Sequence, residues 1–181
     1  MEFFTVSFQE FPIGKTINLM TDLPSLNGFP GLFTTDEVKE LVDRLYPNGV
    51  SNFGAIFLHS HHAILKDTNG RDLMHLSPII DTIVELVRLW QFPDKPSRLI
   101  SAFGWSTLEE AEKFKAERRI GNRIYKVSTD NYFSADMNLL RAGSTIASNI
   151  LLAEKYWQGK SSQNPCWEVL MGLPFSIVEI I

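Results

Sequence analysis

The sequence predicts a single α+β domain, on three observations. Helical periodicity and strand-like alternation occur in separate segments at irregular spacing, not in the regular alternation of a parallel array. Apolar residues make up 44% of the chain and charged residues 21%, a balance that builds a packed core. No repeat, low-complexity tract or linker divides residues 1–181, and that length suits one core.

The elements follow in order. Met1 to Phe8 is rich in β-branched and aromatic residues and reads as a strand. Pro12 and Gly14 make a turn, and Thr16-Ile17-Asn18 a short second strand. Thr21 to Gly31, with Pro24, Gly28, Pro30 and Gly31, is a loop. Thr34 opens a helix with Glu37 as its capping-box partner; Val38, Leu41, Val42 and Leu45 recur at helical spacing until Pro47-Asn48-Gly49. Ser51 to Leu65 fits helix and strand equally, and Asp67 to Arg71 is a polar turn. Ser77-Pro78 starts a helix whose buried stripe is Ile80, Ile83, Val87 and Trp90, ended by Pro93 and Pro96. Arg98 to Phe103 reads as a strand. Thr107, with Glu110 in the box position, caps a helix to about Arg118, and Asn122 to Ser128 alternates like a strand. Ser144 to Trp157 is the strongest helix, aligning Ile146, Ile150, Ala153 and Trp157, with Gly159 as its stop. Phe175 to Ile181 is a terminal strand too apolar for two-sided exposure.

Composition narrows the function classes. The net charge is −4, and the one basic cluster, Lys113 to Lys126, is interleaved with Glu109, Glu110, Glu112 and Glu117, which disfavours nucleic acid. Cys166 is the single cysteine, so neither an intramolecular disulfide nor a cysteine zinc cage is available. No apolar run reaches the length of a membrane span, and the N-terminus lacks a signal-peptide plan; the expected location is the cytoplasm, with no membrane partner. His59, His61, His62 and His75 form the one pattern with metal-ligand character. It needs Asp67 or Asp72 to complete it, and a surface turn explains it as well, so no metal is expected.

Glu168 carries the most information. A carboxylate between Trp167 and Val169 is partly desolvated and requires a hydrogen-bond partner or a function. Two other segments join it: Glu2 to Ser7 with the Pro-Ile-Gly-Lys turn and Thr16-Ile17, and Phe103-Gly104-Trp105-Ser106-Thr107 leading into an Ala-containing helix. Together with Trp167-Glu168-Val169-Leu170, Gly172 and Pro174, these resemble the ADP-ribosyltransferase superfamily.

The resemblance implies a split sheet of mixed or antiparallel strands with flanking helices. It implies NAD as cofactor-substrate and transfer of ADP-ribose to a macromolecular acceptor, a protein before a nucleic acid. Glu168 and Ser106 then take the catalytic roles. Glu168 stabilises an oxocarbenium-like centre and Ser106 orients it, because such a centre needs a carboxylate in a water-poor site. Thr5, Arg98, Thr107, Tyr132 and Trp105 are the implied NAD-binding residues, with Phe133 and Trp157 as further aromatic walls. Thr5 stands where the family carries Arg or His; a threonine cannot pair with pyrophosphate, so Arg98, ahead of Arg123 and Arg141, is assigned that role. Cys166, two residues before Glu168, argues against arginine as acceptor. Asp136 is assigned a helix cap in preference to the pocket. The alternative is a catalytically inactive interaction or inhibitor protein on the same fold, which Thr5 favours.

Overall fold

The computed structural model describes residues 1–23, 31–59, 76–118 and 123–181. Among them are seven strands, β1 (Glu2–Ser7), β2 (Thr16–Ile17), β3 (Ser101–Gly104), β4 (Arg123–Ser128), β5 (Tyr132–Asp136), β6 (Trp167–Gly172) and β7 (Phe175–Ile180). The five helices are α1 (Thr35–Leu45), α2 (Asn52–His59), α3 (Leu76–Gln91), α4 (Leu108–Arg118) and α5 (Ile146–Trp157). The α+β class read from the sequence is the class observed.

The strands form two antiparallel sheets, in the orders β1-β4-β7-β2 and β3-β6-β5. They meet at one bridge. Phe4 N–H donates to the Trp105 carbonyl at 2.9 Å, and Trp105 N–H to the Phe4 carbonyl at 2.8 Å. Gly104 permits that approach: a Cβ there would lie 2.6 Å from the Phe4 carbonyl oxygen and 2.8 Å from Met171 Cε. The side-chain period of two then sorts each strand into layers. Val169 and Met171 of β6 join Phe3, Tyr125, Val127, Phe175 and Ile177 in the core between the sheets. Leu170, on the other face of β6, packs with Val84 and Val87 of α3 and with Ala153, Tyr156 and Trp157 of α5. α4 covers a third cluster of Trp105, Ala111 and Ile124.

The caps follow the sequence. Thr34 and Glu37 close a capping box on α1, and Glu110 N–H donates to Thr107 Oγ1 at 3.2 Å at the start of α4. Ser51 to Leu65, ambiguous in sequence, is α2 as far as His59. The expected turn at Asp67 to Arg71 and the side chains of the histidine cluster lie outside the described residues, among which no group of metal-ligating side chains occurs.

Several expectations are corrected. Arg98 to Ile100 is a 3-10 turn, and β3 begins only at Ser101. Strands β5 and β6 were not foreseen. β6 is covered on both faces and so carries no alternation to read. Trp90, expected in the buried stripe of α3, is 74% exposed. The helix is turned so that its charged residues Asp81, Glu85 and Arg88 face inward with Val84 and Val87. Ile146, expected on the packed face of α5, is likewise exposed.

The Gly104 contact gives a direct test. Gly104→Ala destabilises the protein by about 1–3 kcal/mol, because the sheets must separate to admit the methyl group. Urea unfolding measures it; a neutral result would show that the bridge tolerates a Cβ.

Candidate functional site

The turn before β3 builds the site. Ser97 caps it by accepting from Leu99 N–H at 3.2 Å, and Ser101 Oγ donates back to the Ser97 carbonyl at 2.7 Å. Helix α2 packs directly on it: the Leu99 carbonyl accepts from Ser51 N–H at 2.9 Å and Ser51 Oγ at 3.1 Å. A Cβ on Gly54 would sit 2.0 Å from the same oxygen, so glycine is what lets the α2 backbone close on the turn. Arg98 is thereby held at a fixed place with its side chain inward, 7% exposed.

The guanidinium reaches three elements. Nε donates to Asp81 Oδ1 on α3 at 2.9 Å, and Nη1 donates to Tyr156 Oη on α5 at 2.7 Å and to Glu168 Oε1 on β6. Its carbon lies 4.7 Å from the ring centre of Phe103, 5.3 Å from that of Phe53 and 5.5 Å from that of Tyr156. A planar delocalised cation suits such a box, since aromatic faces attract it without competing for its donors. Tyr156 Oη in turn donates to Glu168 Oε1 at 2.6 Å. Both of these donors meet Glu168 at Oε1, and the residue is only 2% exposed.

Two carboxylates thus share one guanidinium. Burial pushes the Glu168 carboxyl above its ordinary value, against the pull of Arg98 and the Tyr156 hydrogen bond, and Asp81 adds to the rise. Asp81 is raised in the same way, by burial first and against Arg98. Burial works against the charge on Arg98, but Glu168, Tyr156 and Asp81 outweigh it and raise its pKa, so it stays protonated. Burial, with Glu168 adding to it, keeps the Tyr156 phenol well above its usual range against Arg98, so it remains a donor.

A second buried acid fixes the approach to β6. Asp136 accepts from Asn138 N–H at 3.0 Å, Cys166 N–H at 2.8 Å and Ser162 N–H at 2.7 Å. Asn138 Nδ2 donates to the Asn164 carbonyl at 2.7 Å. Asp136 is therefore the expected cap, on the 3-10 turn 137–139, and also a clamp on the segment before Glu168. Burial alone would raise its pKa; the N–H donors of Ser162, Cys166 and Asn138, with the Ser162 side chain, overcome that and lower it.

The remaining candidate residues are dispersed. Thr5 and Ser106 come from strand segments adjacent to that of Glu168, in the sequence β1, β3, β6, but their side chains point elsewhere. Thr5 Oγ1 donates to the Phe103 carbonyl at 2.7 Å, on the Phe3 side of β1. Ser106 is exposed beyond the end of β3, and the hydroxyl on Glu168 is that of Tyr156. Thr107 is taken up in capping α4, and Trp105 is buried against Phe114 at 4.3 Å. Tyr132 is 40% exposed, with its ring against Phe3 at 4.8 Å. Sequence reasoning missed Asp81 and Tyr156. The available signal for Asp81 was a lone acid in the first turns of an apolar helix; Tyr156 carried none beyond its place on α5 beside Trp157.

The family described as a protein of unknown function (DUF2441) matches residues 10–181. The chain belongs to the DUF2441 family. The match includes Asp81, Arg98, Asp136, Tyr156 and Glu168, while β1 precedes it. No curated protein matches this DUF2441 chain.

The DUF2441 ion cluster makes two measurable predictions. Arg98→Ala strands two buried acids and costs about 3–5 kcal/mol, whereas Glu168→Gln leaves Arg98 paired with Asp81 and costs less. Urea unfolding of both variants tests that order. The pH dependence separates the acids. The raised carboxyls of Glu168 and Asp81 contribute stability that is full below the ordinary carboxylate range and lost as pH rises through their folded values. Asp136 contributes stability present above the ordinary aspartate value and lost as pH falls through its lowered one. Glu168→Gln therefore flattens the decline on the rising side and Asp136→Asn the loss on the acid side. Chemical denaturation across a pH series reads both, and parallel profiles in wild type and variants would contradict the assignment.

Proposed function

We propose that this domain is ADP-ribosyltransferase-like, acting on NAD and a macromolecular acceptor, with Glu168 as the carboxylate that stabilises positive charge at the reacting ribose. The observation that carries the reading is the adjacency of β1, β3 and β6. These hold the three segments whose motifs resemble that superfamily, and Glu168 stands on β6 in a water-poor setting, its rotamer held by Tyr156. The aromatic box of Phe53, Phe103 and Tyr156 already stabilises one planar cation there, the guanidinium of Arg98. A carboxylate in a low-dielectric site interacts strongly with positive charge.

The arginines considered for the diphosphate of NAD are all engaged within the protein. Arg98 is turned inward onto Glu168 and Asp81, Arg123 pairs with Glu10 at 2.7 Å, and Arg141 Nε donates to the Asn138 carbonyl at 2.6 Å. Thr5 is engaged with Phe103. That engagement of Arg98 favours a second reading, a non-catalytic interaction protein on the same fold, in which the Glu168–Arg98 pair is purely architectural. The net charge of −4 favours a protein acceptor or partner over nucleic acid in either case.

NAD decides between them. Under the transferase reading, saturating NAD raises the melting temperature, and nicotinamide release falls about 10²–10³-fold in Glu168→Gln while circular dichroism and NAD-induced stabilisation persist. An unmoved melting temperature with no nicotinamide release leaves the interaction reading; equal turnover in wild type and Glu168→Gln removes Glu168 from the chemistry.

A further inference from the structure

Helix α3 turns three charged side chains inward, Asp81, Glu85 and Arg88, at 12%, 9% and 10% side-chain exposure. Two of them satisfy each other. Arg88 holds Glu85 through Nε at 3.0 Å and Nη2 at 2.8 Å, and Tyr46 Oη on α1 donates to Glu85 at 3.2 Å. Arg88 Nη1 also donates to the carbonyls of Pro93 and Lys95, at 3.3 and 3.0 Å. Asp81 stands apart from that pair. It accepts from Arg98 Nε at 2.9 Å, on the same guanidinium that pairs with Glu168. A second buried acid on one cation adds desolvation cost and divides the compensation. The charge at position 81 therefore calls for a reason beyond holding Arg98.

We propose that Asp81 is a positioning residue for Glu168: by drawing on the charge of Arg98 from α3, it leaves Glu168 negative charge to set against the reacting ribose. This role rests on the transferase reading. A lone Arg98–Glu168 pair is neutral and does little for a cation beside it. With both acids ionised, one positive and two negative charges sum to −1. In a water-poor site that excess acts on charge developing nearby. Asp81 also anchors the guanidinium at Nε, beside the rings of Phe53 and Phe103, while Nη1 meets Glu168 and Tyr156. Its charge reaches Glu168. Burial raises the Glu168 carboxyl, Arg98 and Tyr156 oppose the rise, and Asp81 adds to it. Among the described residues, the charged and titratable groups around Glu168 are Arg98 from the turn, Tyr156 from α5 and Asp81 from α3. Glu85, held by Arg88 and Tyr46, acts on Asp81. Removing the charge of Asp81 thus weakens the stabilisation of the ribose and lets Glu168 ionise at lower pH.

Asp81→Asn keeps an acceptor for Arg98 and removes the charge. The expected result is nicotinamide release with kcat down about tenfold, KM for NAD unchanged and the acid limb of the kcat profile moved to lower pH. Asp81→Glu, which restores the charge, recovers most of the rate. Wild-type kcat in Asp81→Asn, or an acid limb that stays in its wild-type place, overturns the proposal. The coupling is also read without turnover. With isotope-labelled side-chain carboxyls, carbon NMR follows Glu168, assigned by its loss in Glu168→Gln. Its carboxyl titrates at lower pH in Asp81→Asn than in the wild type. In the wild type itself, the Glu168 and Asp81 signals each move through both titrations, as interacting acids do. Unmoved or independent titrations overturn the proposal, with or without turnover of NAD. Coupled titrations in a chain that neither binds NAD nor releases nicotinamide end the transferase reading, and the part of Asp81 in the reaction with it, while the coupling stands.

Discussion

The guanidinium of Arg98 is the point on which the second sheet and its helices depend. It is tied to α3 through Asp81, to α5 through Tyr156 and to the centre of the β3-β6-β5 sheet through Glu168. Only arginine meets these demands together: a planar fork of donors for partners in different directions, a charge that survives burial, and faces that lie against aromatic rings. A buried ion cluster of this sort contributes little net stability, because desolvation offsets attraction. Its effect here is positional. The close seat of α2 on the turn, made possible by Gly54, and the inward turn of Asp81 on α3 are both arranged around it.

The charge balance of that cluster bears on both functional readings. One buried cation faces two acids whose protonation burial favours, so the charge of the cluster is set by how many of the two acids are ionised. An ionised Glu168 in such a site responds to any positive charge that develops within its reach. It is equally a stable internal lock while Arg98 remains where it is. The transferase reading and the interaction reading therefore share one electrostatic description and differ in whether a ligand gains access to it.

Local chemistry was legible in the sequence where it depends on neighbours along the chain. The capping boxes at Thr34 and Thr107 and the burial of Glu168 between Trp167 and Val169 are of this kind. What depends on packing from both sides was not. Strand β6 reads as a plain apolar run because sheet core and helix layer cover opposite faces. The phase of α3 was misread because apolar Trp90 was ranked as core ahead of Asp81, and it is the partner of Asp81, seventeen residues on, that reverses the order. Arg98 was read from the sequence as a holder of phosphate, whereas in the structure it pairs with the carboxylate on β6, across 70 residues that no local pattern connects.

The four members of the cluster come from α3, the turn before β3, α5 and β6, separated along the chain by 17, 58 and 12 residues. Contacts of such separation close late in folding, after the loops between them have been ordered. Until β6 is in place, Arg98 and Asp81 have no complete shell, and water remains the better partner for both. The helix layer therefore cannot dry out ahead of the sheet. The packing of α3 on α5 and the seating of the strand bearing Glu168 are thereby coupled through one buried cation.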